Sequence, residues 1–185
     1  MKKIYWVLIL IIVIVGGWLL ASQLMGPKTI VGSLDISTWE EYKNENSDFS
    51  IKHPDIIEIT ELNTNLTKFL VLGPTQSEGT EMYDGISMEV ARQYNSGVDL
   101  KTIVETRIED VQSGVAEVTE QLREVNLGNV EGYTYSFNGL GDFDIYYLPK
   151  NQNEYFLISV LAEDPKDQGF EEIAQGMLAS FQIRD

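Results

Sequence analysis

The chain is expected to form an α+β domain, a central antiparallel sheet flanked by helices in a three-layer α/β/α sandwich, preceded by one N-terminal transmembrane helix. Three observations predict this. Eighteen uncharged residues, Ile4 to Ala21, follow the lysine pair Lys2 and Lys3. Four extended runs in the second half of the chain are joined by connections too short for a parallel crossover, which needs a dozen residues or more. Two segments with apolar residues at helical spacing flank those runs.

As a helix, Ile4 to Ala21 rises about 27 Å, close to the roughly 30 Å of a bilayer core. Tyr5, Trp6 and Trp18 lie near its ends, where amphipathic rings favour the headgroup zone, and the lysine pair is held on the cytoplasmic side. Leu19 to Gln23 make a poor small-residue cleavage site, so an uncleaved anchor over residues 1–25 is the better reading. A buried core helix seldom runs this far without a polar face. No lipid-accepting cysteine follows, because the chain contains none. Residues 26–34, with Gly26, Pro27, Gly32 and Ser33, read as a linker, and residues 35–185 as one extracytoplasmic domain. The expected placement is single-pass in the plasma membrane, with the N-terminus cytoplasmic.

Within the domain, Phe49 to His53 alternates apolar and polar and is stopped by Pro54. Lys68 to Leu72 is a second apolar run, bounded by Gly73-Pro74. Ile86, Met88 and Val90 alternate with polar neighbours from about Gly85 to Gln93, after a polar loop over residues 74–84. The period then changes: Leu100, Ile103, Val104, Ile108 and Val111 follow helical spacing to about Gln112, with Asp99 placed to cap. Glu117 to Val125, Val130 to Phe137, Phe143 to Leu148 and Glu154 to Ala162 are the four extended runs, separated by short turns. Tyr155 to Leu161 is apolar on both faces and should be a central strand covered on two sides. After Asp164-Pro165, which suits an N-cap followed by the first helical position, Phe170, Ile173, Ala174, Met177 and Leu178 mark a second helix.

The 185 residues hold 29 Asp and Glu against 13 Lys and Arg, a net charge of −16. From residue 29 onward ten basic residues face all of the acidic ones. A field of that sign repels nucleic-acid phosphates, and no Lys/Arg stripe offsets it, so nucleic-acid binding is excluded. The acidic residues are interleaved with apolar ones, as on a solvated surface.

The residue inventory also narrows the chemistry. With no Cys and a single His there is no thiolate nucleophile and no His/Cys zinc site. His53 has no nucleophile-elbow serine to activate and reads as a strand-end structural residue. Gly139-Leu140-Gly141 begins like a dinucleotide loop, but Asp144 stands at the third glycine position and a strand follows, which makes it a hairpin turn. Asp142 and Asp144 set two carboxylates beside that turn, as do Glu163, Asp164 and Asp167 near the second helix. Hard cations such as Ca²⁺ take such oxygens, but neither group has the ligand spacing of a calcium loop. No cofactor is expected, and Asp142 and Asp144 are only weak metal candidates. Tyr133, Tyr135, Tyr146, Tyr147 and Tyr155 either pack the core or line a groove.

Three stretches carry a family resemblance. Tyr42 followed by Phe49-Ser50-Ile51-Lys52-His53-Pro54, the run Gly128-Asn129-Val130-Glu131-Gly132-Tyr133, and the closing Met177-Leu178-Ala179-Ser180-Phe181 resemble the PsbP-like superfamily over roughly residues 35–185. The resemblance implies a central antiparallel sheet between helices. Its members include an extrinsic photosystem subunit that helps retain calcium and chloride, a nuclear Ran-binding protein, envelope lipoproteins and secretion-effector chaperones. What they share is binding without catalysis. The chain departs from many of them in having Ile56 and Ile57 where a Trp follows Pro54, and in having a helical anchor. No photosystem-binding or Ran-binding residues match.

The functional expectation is therefore a membrane-anchored, non-enzymatic binding or accessory protein that engages another envelope protein. Two alternatives stand beside it: an envelope hydrolase or hydrolase subunit using a carboxylate pair, and a receptor for an ion or small molecule.

Overall fold

The computed structural model describes residues 35–128 and 130–184. The expected transmembrane helix Ile4 to Ala21 and the linker 26–34 lie outside these residues, among which no helix is long and apolar enough to cross a membrane. The elements in chain order are β1 (Glu40–Asn44), β2 (Phe49–His53), β3 (Glu58–Asn63), β4 (Leu66–Leu72), β5 (Gly85–Tyr94), α1 (Leu100–Ser113), β6 (Glu117–Leu127), β7 (Val130–Asn138), β8 (Asp142–Pro149), β9 (Glu154–Glu163), α2 (Phe170–Ala179) and β10 (Gln182–Ile183).

Seven strands form one antiparallel sheet in the order β3-β4-β5-β9-β8-β7-β6, and β1-β2-β10 form a second, three-stranded one. The short connections predicted antiparallel neighbours, and β6 to β9 are such a meander. As its two-faced apolar pattern requires, β9 is central, between β5 and β8. Its even-numbered residues Phe156, Ile158 and Val160 pack in one core with α2 and the small sheet. Tyr155 and Leu157 face the other core, beneath α1.

Two parts of the layering differ from expectation. The layer on the α2 side is shared with the three-stranded sheet, so the arrangement is not a simple α/β/α sandwich. The joint is made by rings: Phe49 of β2 stacks on Phe181 at 5.6 Å, and Phe156 of β9 meets both edge-on at 5.7 and 5.5 Å. All three are fully buried. The start of α2 also differs. Its N-cap is Gly169, at φ +88°, a left-handed conformation that favours glycine, and not Asp164. Asp164 acts from further back: its carboxylate accepts the N–H groups of Gln168, Gly169 and Phe170 at 2.7, 2.7 and 2.9 Å. Burial pushes this carboxyl up, but the backbone N–H bonds outweigh it and hold it below the usual range. Pro165 therefore lies in the loop that Asp164 closes.

α1 starts where expected, with the Asp99 carboxylate accepting the Thr102 N–H at 3.3 Å. Val104 and Ile108 are its buried residues. Strands β1, β3 and β10 carried no clear alternation. β1 and β3 are edge strands, held by pairing with β2 and β4. The outer strands of the large sheet are irregular: the register shifts once in β3, between Glu61 and Asn63, and twice in β6, across Val118 to Arg123.

On β7, the Thr134 hydroxyl is buried and has no hydrogen-bond partner among the described residues. Valine keeps the shape and removes the unsatisfied group, so Thr134→Val is expected to raise the unfolding free energy by about 1 kcal/mol. The midpoint of urea unfolding is the measurement, and a fall in that midpoint contradicts the assignment.

Candidate functional site: an acidic cleft at one end of the sheet

β6 ends at Leu127 and β7 begins at Val130, and their pairing sets Asn126 opposite Glu131 and Glu124 opposite Tyr133. Directly opposed residues share a sheet face, so these four side chains project to one side of the hairpin. It is the side that α1 covers. The helix begins beside them at Asp99 and Leu100, and β8 ends there at Pro149. The space between is a cleft of about 600 Å³ lined by Asp99, Leu100, Glu124, Val125, Asn126, Glu131, Gly132, Tyr133 and Pro149. Gly132 allows the strands to close around it: a Cβ there would stand 2.2 Å from the Tyr147 carbonyl oxygen.

Its floor is mixed, with Leu100, Val125 and Pro149 apolar and the Tyr133 ring half-buried. Three carboxylates set the sign of the field. Asp99 is occupied with the helix N-terminus. Glu124 and Glu131 are exposed and form no ion pair among the described residues. The half-unit of positive charge at a helix N-terminus does not balance three carboxylates. An ammonium or guanidinium group on an apolar stem fits both the charge and the lining. No histidine lines the cleft, so it offers carboxylates, an amide and a phenol.

The residues singled out from the sequence are scattered. Asp142 and Asp144 lie on β8 and each is tied to β7, Asp142 accepting from Asn138 Nδ2 at 2.6 Å and Asp144 from Ser136 Oγ at 2.5 Å. Glu163 accepts the Asp142 N–H at 3.2 Å. Among the described residues no group of three or more His, Cys, Asp or Glu side chains converges on a cation position. His53 is buried at the end of β2, with Nδ1 2.9 Å from the Pro54 carbonyl oxygen, which can only accept, so this nitrogen carries the proton. The tyrosines divide between the two cores. Tyr135, Tyr147 and Tyr155 stack beneath α1 at 6.3 and 5.8 Å. Burial pushes the Tyr147 hydroxyl far up, and that of Tyr146, in the opposite core, up to about 12. Only Tyr133 of the five lines the cleft.

No family model matches the sequence, and no curated protein matches it either. Solved structures do. The cyanobacterial PsbP protein of Synechocystis sp. PCC 6803 superposes over 85% of this chain and 99% of its own, with a TM-score of 0.52 at 12% identity. The fold is PsbP-like. LpqN of Mycobacterium tuberculosis, a protein involved in cell envelope biogenesis, matches the same PsbP-like arrangement over 80% of this chain and 86% of its own, with a TM-score of 0.54 at 8% identity. A protein of Bacteroides thetaiotaomicron VPI-5482 is similar over 80% of this chain, with a TM-score of 0.51 at 12% identity. The match spans 49% of that longer protein.

Proposed function

We propose that this chain is a non-enzymatic binding and accessory protein of the cell envelope. In this reading Ile4 to Ala21 anchors it as a single pass with the N-terminus cytoplasmic, and the PsbP-like domain engages another envelope protein. The contact we assign is the cleft between α1 and the β6–β7 hairpin. The observation that carries this is the pair Glu124 and Glu131, two carboxylates with no ion pair among the described residues, beside the apolar Leu100, Val125 and Pro149. A lysine or arginine of a partner entering there meets opposite charge and lays its stem on Leu100 and Pro149. The fold likeness to LpqN, whose role is in envelope biogenesis, supports the envelope setting.

The test places a photo-crosslinking amino acid at Asn126 in the full-length protein in its native membrane. A discrete envelope protein should be captured. The double variant Glu124→Lys and Glu131→Lys should lower its yield at least ten-fold, equivalent to about 1.4 kcal/mol. Both side chains are exposed, so the unfolding midpoint should stay unchanged. Undiminished capture by the double variant, or recovery of bulk membrane proteins alone, overturns the reading.

A further inference from the structure

At the end of the large sheet opposite the cleft, three loops come together: residues 73–84 between β4 and β5, residues 114–116 between α1 and β6, and residues 139–141 between β7 and β8. Their contact can be placed closely. A Cβ at Gly139 would lie 3.8 Å from that of Ala116. Leu140 and Gly141 line one concavity, of about 640 Å³, together with Gly79 to Tyr83 and Glu163. The tips carry apolar side chains that the fold leaves in solvent: Val115 is fully exposed, Leu140 is 69% exposed and Tyr83 is 41% exposed. Met82 forms part of the concave wall.

These loops are built, not slack. Asp84, fully buried, accepts the Thr75 N–H at 2.7 Å and the Thr75 hydroxyl at 2.6 Å, and takes the Gln168 amide at 3.3 Å. The Gln76 side chain accepts the N–H groups of Tyr83 and Asp84 at 2.8 and 3.1 Å and donates to Thr80 Oγ1 and the Glu81 carbonyl. The Tyr83 hydroxyl is bonded to the Thr75 carbonyl. Within the hairpin, Gly139 N–H donates to the Gly141 carbonyl at 2.9 Å. Apolar side chains presented on an ordered surface lose little entropy when covered, which favours binding over mere exposure.

Charge selects the occupant. Glu78, Glu81, Glu117 and Asp142 are exposed around the tips, and Glu163 faces the concavity. Residues 73–84, 114–117 and 139–142 contain no Lys or Arg. An acidic rim around apolar tips repels anionic headgroups and complements a basic chain. We propose that this end of the domain is a second docking surface, which takes a polypeptide segment carrying apolar side chains flanked by lysine or arginine. It is independent of the cleft, since no residue is shared.

The absence of cysteine from the chain makes the test direct. Full-length protein with Leu140→Cys carries an environment-sensitive dye and is placed in phosphatidylcholine nanodiscs. The probe is the peptide Lys-Lys-Leu-Trp-Leu-Lys-Lys, with one companion in which Glu replaces Lys and one in which Ser replaces Leu and Trp. The first peptide should shift the dye to shorter wavelength and bind at least ten-fold more tightly than either companion. By anisotropy of labelled peptide on dye-free protein that carries Glu124→Lys with Glu131→Lys, which closes the cleft to lysine, adding Val115→Ser with Leu140→Ser should weaken binding at least five-fold. Equal binding with and without the serine substitutions in that background overturns the proposal, as does equal binding of the Ser companion. Quenching of the dye by spin-labelled lipid in the absence of peptide overturns it too, assigning the tips to the bilayer.

Discussion

Replacing Phe156 with alanine is expected to lower the unfolding free energy by about 3–5 kcal/mol, the range for a fully buried ring whose cavity cannot collapse. Collapse is limited here because the ring meets a stacked pair of rings edge-on. Phe49 belongs to the small sheet and Phe181 follows α2, so one truncation loosens both from β9. Equilibrium urea unfolding measures the loss. Its companion expectation separates this joint from ordinary core packing: Phe156→Leu should recover more than half of the loss by refilling the space. A loss below 1 kcal/mol for Phe156→Ala contradicts the assignment of this ring as the joint.

The second large effect is electrostatic. Arg92 at the end of β5 donates through Nε and Nη2 to Glu154 at 3.0 and 2.7 Å, and through Nη1 to the Asn46 carbonyl at 3.0 Å. Lys150 pairs with Asp48 beside it. The cluster ties the β1–β2 turn to the large sheet, with the Arg92 and Glu154 side chains 18% and 13% exposed. Arg92→Ala leaves the Glu154 carboxylate without two donors and should cost about 2–3 kcal/mol. The same cluster gives a pH signature. The Asn151 amide, with Arg92, holds the Glu154 carboxyl below its ordinary value against the opposing effect of burial, and the Lys150 hydrogen bond does the same for Asp48. Groups whose folded pKa is depressed contribute stability that is present above their unfolded values and lost as pH falls through the folded ones. Unfolding free energy should therefore hold at neutral pH and decline as pH drops below about 4.5, the ordinary glutamate value. In Arg92→Ala that acid decline should be shallower. An identical slope in the two proteins would remove the cluster as its source.

Much of this architecture can be read from single residues. The alternation of Ile86, Met88 and Val90 gave β5, and the period change at Leu100 gave α1, because each element buries a continuous face and the pattern records it. β1 and β3 left no such record: Glu-Glu-Tyr-Lys-Asn and Glu-Ile-Thr-Glu-Leu-Asn lie at sheet edges, where neighbours and not an apolar face decide the conformation. The start of α2 misled because Asp164-Pro165 has the composition of a cap, whereas the carboxylate reaches five and six residues forward around a loop. The cleft was legible in principle. The Gly-Asn turn signal in the sequence at 128–129 marks a hairpin, and counting back from it pairs Glu124 with Tyr133 and Asn126 with Glu131. What no counting supplies is that α1 begins over that hairpin, since nothing in residues 95–99 states the direction in which the helix leaves the sheet. Asp142 and Asp144 looked like a pair because they are close in sequence, yet each is tied sideways to a partner on β7.

The irregular outer strands have a consequence for how copies of this protein coexist. An unpaired strand edge is a template on which another chain can ladder. Here β3 shifts register between Glu61 and Asn63, and β6 shifts twice while presenting Glu117, Glu120, Arg123 and Glu124. A second copy approaching either rim of the large sheet meets kinked backbone and mostly like charge, which disfavours laddering edge to edge there.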